Sequence, residues 1–342
     1  MSLTLLSGRT NLFSIPFCLL VMTTGLSTDA IGARKIPPVL PDSFDVPIDG
    51  KVQISIEGRP TDVLMTPGMP NSIYITKSLA LSLFGKEAGQ FGFGARLLRA
   101  FGEDSPFYDT KSRVGPVTIP GLYREVQVDI GQAQALINAA WYNVDAYPFA
   151  EALAGPYALP IPIIRFALRA PQPEEVSFTL PLAPINSWWI ATTPKDYGNV
   201  KVLFAFAPQF KTTVASAAAG AAIAASHGGS FTGEAVPVTI SYDVKRPARP
   251  VKLTQPLEFG PLKISTLLVR TRDYGSASSI KDPSVDDPSE SAGDIVVKGK
   301  RKPSRPLYVV YIGADTLAAC SSIIYDKPAA TITLSCVQLA KE

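Results

Sequence analysis

Apolar and polar residues alternate over short stretches along the chain, with Gly, Pro, Asn and Asp between them. Period-two alternation of this kind marks half-buried strands. It predicts strands at 52–56 and 63–65 around a Glu57-Gly58-Arg59 turn, then at 117–119, 125–129, 176–180, 200–204, 236–242, 264–269 and 307–312. Helical spacing is confined to 77–84, 132–140 and 214–226. The pattern predicts a mostly-β protein.

The elements also recur in order. In the first half a hairpin leads through Thr66 to Thr76 and into the helix at Lys77. In the second, Trp188 to Thr192, a turn from Pro194 to Gly198, and Val200 to Phe204 lead through Ala205 to Val214 and an Ala-rich helix. Each half continues past a Gly-centred segment, 117–121 in one and 257–260 in the other. Each then reaches a Gly-x-x-x-Leu turn, at Gly155 to Leu159 and at Gly313 to Leu317. A closing hairpin is expected after both turns, from 164–166 with 178–180 and from 323–325 with 331–334. The reading is an internal duplication with its boundary near Ala183 to Asn186, giving a first lobe over 41–183 and a second over 186–342.

Composition narrows the chemistry. With 46% hydrophobic and 18% charged residues among 342, the chain has the apolar surface to fold. Its 31 prolines suit loops and strand ends better than helices. A net charge of +3 is too weak to suggest a nucleic-acid partner. One histidine and three cysteines leave little for a metal site or a His-based triad, so neither metal nor cofactor is expected. His227, just before Gly228-Gly229, reads as the basic end of a helix.

Arg9, an apolar run from Leu12 to Leu26, and small residues at Ala30 and Ala33 read as a secretory signal peptide over 1–33. That implies a periplasmic or secreted protein with no stable membrane span after signal removal. The two remaining cysteines, Cys320 and Cys336, fall opposite each other across a hairpin turning at Asp326-Lys327-Pro328, with Ile324 opposite Ile332. A cross-strand disulfide there contributes about 3 kcal/mol in the chain-entropy model. Acidic, Ser-rich and then basic composition predicts a mobile loop over 273–304, and Trp188-Trp189 are expected to pack between sheets.

Two sets of residues carry a family resemblance. Ile312-Gly313-Ala314-Asp315-Thr316-Leu317 with Ile324-Tyr325-Asp326 is similar to the closing element of retropepsin-like aspartic peptidases, and Gly68, Ser72 and Ile73 to the opening one. The pair of halves resembles the two-lobed pepsin-like arrangement of bacterial exported relatives. The resemblance implies two β-barrel lobes with few short helices, and one aspartate from an Asp-Thr-Gly turn of each lobe. Two such carboxylates share a proton and hold the attacking water. Here both motifs are degenerate. Thr66 stands at the first aspartate position, and Ala205 at the second unless the register slips by two residues. A hydroxyl is no general base near neutral pH, and Pro67 lacks the N–H and hydroxyl of the family threonine.

The resemblance then implies a pseudopeptidase that binds an extended peptide or protein segment between its lobes, with Thr66, Gly68, Ala205 and Phe206 at the floor. The alternatives are an active aspartic-type endopeptidase with another acid pair, such as Asp62 with Asp196, a different carboxylate-pair hydrolase, and a structural envelope protein. Asp315 reads as support for the closing turn; the matching position in the first lobe is Tyr157.

Overall fold

The computed structural model describes residues 40–69, 71–91, 107–114, 117–145, 150–184, 190–271, 274–283 and 306–337. The expected signal peptide, Trp188-Trp189, residues 185–186 of the expected boundary, and most of the 273–304 loop lie outside them.

After β1 (Ser43–Val46), alternating residues build β2 (Lys51–Ile56) and β3 (Arg59–Met65). The two are joined at Glu57 and Gly58, whose positive φ angles of 50° and 77° match the twist of a two-residue hairpin turn. There follow β4 (Ile73–Ile75), α1 (Lys77–Phe84), β5 (Tyr108–Val114), β6 (Val117–Ile130), β7 (Ala133–Tyr142) and β8 (Ala152–Ala154). The sheet runs β2-β3-β8-β4-β7-β6-β5, and an extra β2–β6 pairing curls it on itself. Trp141 fills this lobe, donating Nε1–H to the Ala88 carbonyl at 2.7 Å and packing on Phe84 and Phe107.

Next come β9 (Ile163–Ala167) and β10 (Glu175–Pro181). The second lobe has β11 (Thr193–Tyr197), β12 (Val200–Phe206), β13 (Val214–Ala215), α2 (Ala217–His227), β14 (Gly229–Phe231), β15 (Val236–Ser241), β16 (Val244–Phe259), β17 (Leu262–Arg270) and β18 (Val309–Ile312). Its strands run β11-β12-β18-β13-β17-β16-β14, with β15 on β16. The described residues end in a helical turn α3 (Ala314–Leu317), β19 (Cys320–Asp326) and β20 (Thr331–Val337). A third sheet, β1-β9-β19-β20-β10, draws on both halves. The molecule is mostly β, and its curled sheets are consistent with a two-lobed retropepsin-like fold.

The duplication is visible in the pairing. In the first lobe β3 runs parallel to β8, and β4 sits between β8 and β7; in the second β12 runs parallel to β18, and β13 sits between β18 and β17. The helix N-caps correspond too: Thr76 Oγ1 accepts from Leu79 N, and Ser216 Oγ from Ala219 N.

Four expectations need correction. Residues 132–140 form β7 rather than a helix, because ten residues from Ala133 to Tyr142 pair with β6. The outer strand of the second opening hairpin is Thr193–Tyr197, the stretch read as a turn. Gly260 corresponds to Gly131 at a hairpin turn (φ 58° and 63°), whereas Gly121 lies inside β6 against Tyr142. Finally, β9 and β10 do not pair with each other as a closing hairpin. The β19–β20 hairpin of the second lobe lies between them.

The disulfide forms between Cys320 and Cys336, which face each other across that hairpin. Its register differs from simple symmetry about residue 328: Tyr325, not Ile324, lies opposite Ile332, and a bulge at Ser321 brings the cysteines back into line. The bulged Ser321 hydroxyl donates to Glu175, and that bond, with Arg169 at 2.7 Å, holds the Glu175 carboxyl below the usual carboxylate range.

Candidate functional site

Each lobe sends one loop to the junction between them. The first leaves β3 as Thr66-Pro67-Gly68-Met69: Thr66 N donates to Ala154 O (3.0 Å) and Met69 N to Thr66 O (3.2 Å). The second leaves β12 as Ala207-Pro208-Gln209-Phe210, with Ala207 N on Ile312 O (2.8 Å) and Phe210 N on Ala207 O (2.9 Å). The bonding is the same in both, so Ala207 is the counterpart of Thr66. Ala205 lies two residues too early: with Phe206 it is fully buried inside β12, pairing with Tyr311 and Ile312 of β18. The missed residues are Ala207, Pro208 and Gln209. Their signal was the proline at the second place of both four-residue runs.

The loops touch directly. Thr66 Oγ1 donates to Gln209 Oε1 at 2.9 Å, and Thr66 is 6% exposed. A Cβ on Gly68 would lie 2.8 Å from both the Ala207 Cβ and Gln209 Nε2, so only glycine admits this approach. At the junction the two loops present a hydroxyl–amide hydrogen bond and a methyl group.

A cavity of about 610 Å³ opens beside the loops. Thr66 and Pro67 border it from one lobe, Pro208 and Gln209 from the other, and Phe166 with Leu317 line it from the shared sheet and α3. Its walls are chiefly apolar. The one carboxylate in the lining is Asp49, an exposed residue whose Oδ1 accepts from Lys51 N at 3.1 Å. The Arg169 guanidinium in the wall is already engaged, donating to the carbonyls of Ala318, Ala319 and Ala170.

The remaining candidates lie elsewhere. Asp62 and Asp196 are exposed positions of β3 and β11, opposite Gln53 and Lys201, and neither borders the cavity. Asp315 is committed to Thr213, accepting from its N–H and hydroxyl, both at 3.1 Å. His227 ends α2, with Nδ1 3.1 Å from Gln255 O and its ring beside Tyr197. Among the described residues no group of three or more His, Cys, Asp or Glu is placed to hold a metal ion.

Fold and junction together define a mostly-β, two-lobed protein whose paired loops, Thr66–Met69 and Ala207–Phe210, carry no acid. Neither protein-family models nor curated proteins give a match to the chain. Among solved structures it is similar to the EIAV protease complexed with the inhibitor HBY-793, at 11% identity over 31% of this chain and 79% of that one, with a TM-score of 0.20.

Proposed function

We propose that this chain is an exported, non-cleaving member of the peptidase-like architecture that binds an extended peptide or protein segment between its lobes, the first over 41–183 and the second over 186–342. The observation that carries the reading is the Thr66–Gln209 hydrogen bond in place of a carboxylate pair. Neither side chain can hold and release a proton near neutral pH, so there is no general base at the junction. The Gln209 amide, which lines the cavity, and the apolar cavity walls suit a peptide carbonyl and apolar side chains. Export, through a signal peptide at 1–33 to the periplasm or the outside, accords with the Cys320–Cys336 disulfide. Among the described residues no helix is long and apolar enough to cross a membrane.

The test is proteolysis of unfolded protein substrates by the purified chain from about pH 3 to 7, where paired carboxyls titrate. The Thr66→Asp/Ala207→Asp variant runs beside it. The reading expects no cleavage by the natural chain at any pH, and cleavage by the variant alone would strengthen it. Cleavage by the natural chain would overturn it.

A further inference from the structure

The cavity beside the junction loops takes part of its rim from a four-residue turn, Pro47-Ile48-Asp49-Gly50, between β1 and β2. Backbone bonds fix that turn. Gly50 N donates to Pro47 O at 2.9 Å and closes it. Gly50 O accepts from Met65 N at 2.8 Å, which pins the turn to the last residue of β3. Gly50 has φ 70°, and a Cβ there would lie 2.8 Å from the Met65 carbonyl oxygen, so the position requires glycine. Thr66 follows Met65 directly, and the turn is thereby tied to the first junction loop.

The two central residues of the turn each carry a group left open to a ligand. Ile48 is 61% exposed although it borders a cavity with chiefly apolar walls, so an apolar group entering there would cover it. Asp49 is exposed, and among the described residues its carboxylate takes one bond, from Lys51 N to Oδ1. The charges around the cavity do not balance. Arg169 is the one cation in the lining, and Glu175 sits 2.7 Å from its guanidinium while three backbone carbonyls accept its other N–H groups. That pair cancels. Asp49 has no cation in the lining to answer it, so the mouth is negative above an apolar interior.

We propose that the cavity takes a bulky apolar side chain whose neighbour in the bound segment carries a positive charge, and that Asp49 is the residue that sets this preference. The inference deepens the peptide-binding reading and rests on it for the ligand. About 610 Å³ is ample for a bulky side chain packed on Phe166, Leu317 and Ile48. A cation beside that side chain stands at the mouth, within reach of Asp49, whereas an acid there meets like charge. Because Asp49 is hydrated at the rim, its effect falls on choice between partners more than on total affinity.

The test uses fluorescein-labelled decapeptides with a single phenylalanine in a glycine-serine chain and lysine, glutamine or glutamate next to it. Each is titrated by fluorescence anisotropy against the full natural chain and against Asp49→Asn, Asp49→Lys and Ile48→Ser, all changes at exposed positions that leave the turn's backbone bonds in place. The natural chain should bind the lysine peptide about fivefold more tightly than the glutamate peptide at low salt, with glutamine between them. The gap should close as salt approaches about 1 M, where the screening length falls to about 3 Å. Asp49→Asn should bind the three alike, and Asp49→Lys should reverse their order. Ile48→Ser should weaken all three by about threefold and leave the order unchanged. Equal binding of the three peptides by the natural chain, or a lysine preference that survives Asp49→Asn, would overturn the assignment and leave peptide binding standing. If none of the three binds to any of the proteins, the peptide-binding reading itself fails, and the preference falls with it.

Discussion

At the scale of single residues, the two junction loops explain why particular positions tolerate so little. Gly68 has the Ala207 Cβ and the Gln209 amide against it, and of the two only the Gln209 side chain can swing aside. Gly68→Ala is expected to cost about 1–3 kcal/mol, as overpacking does, and to lengthen the Thr66–Gln209 bond. Chemical denaturation checks this; a variant as stable as the natural chain would show that the loops are not in contact. Lys327 offers a pH test. Its Nζ donates to Leu159 O at 2.6 Å and lies 5.6 Å from the Tyr157 ring, and burial lowers its pKa from 10.5 to about 8. Across that window the unfolded chain binds more protons than the folded one, so stability rises with pH. The melting temperature of the natural chain should therefore gain on that of Lys327→Met between pH 8 and 10.5, and a constant difference would contradict the assignment. Residue identity at the site was half legible in the sequence. Thr66 is read from the sequence on Gly68, two places on; the counterpart loop has Gln209 at that place, so the sequence reading falls on Ala205 rather than Ala207.

At the scale of elements, local pattern succeeded where it agreed with tertiary context. The helix at Lys77–Phe84 and the Glu57-Gly58 hairpin were legible residue by residue. Residues 132–140 were misread because Ala, Gln and Leu favour helix intrinsically, while the neighbouring β6 offers a full ladder of partners. The Ser321 bulge was invisible because nothing in a cysteine spacing announces one extra residue. The corresponding N-caps also differ in depth. The Thr76 hydroxyl caps α1, whereas the buried Ser216 hydroxyl also donates to Leu307 O and accepts from Val309 N at 3.3 Å. Thr76→Ala should cost about 1 kcal/mol and Ser216→Ala about 2–3 kcal/mol, since the latter takes the hydroxyl from both the Leu307 carbonyl and the buried Val309 N–H of β18. Equal losses in parallel denaturation curves would rule out that additional role.

At the scale of the molecule, the third sheet is the feature that period-two reading could not supply. Its strands lie far apart in sequence, and the order β1-β9-β19-β20-β10 follows from which edges meet, not from any one segment. It fastens the halves together, and the loops that meet above it at Thr66 and Gln209 leave β3 and β12 with the same backbone bonding. The account therefore separates binding from cleavage. The most direct measurement incubates the full chain with an extended decapeptide pool near neutral pH and reads the retained peptides by mass spectrometry. The account predicts that peptides are retained and recovered at their original masses; recovery of fragments, or retention of nothing, would contradict it.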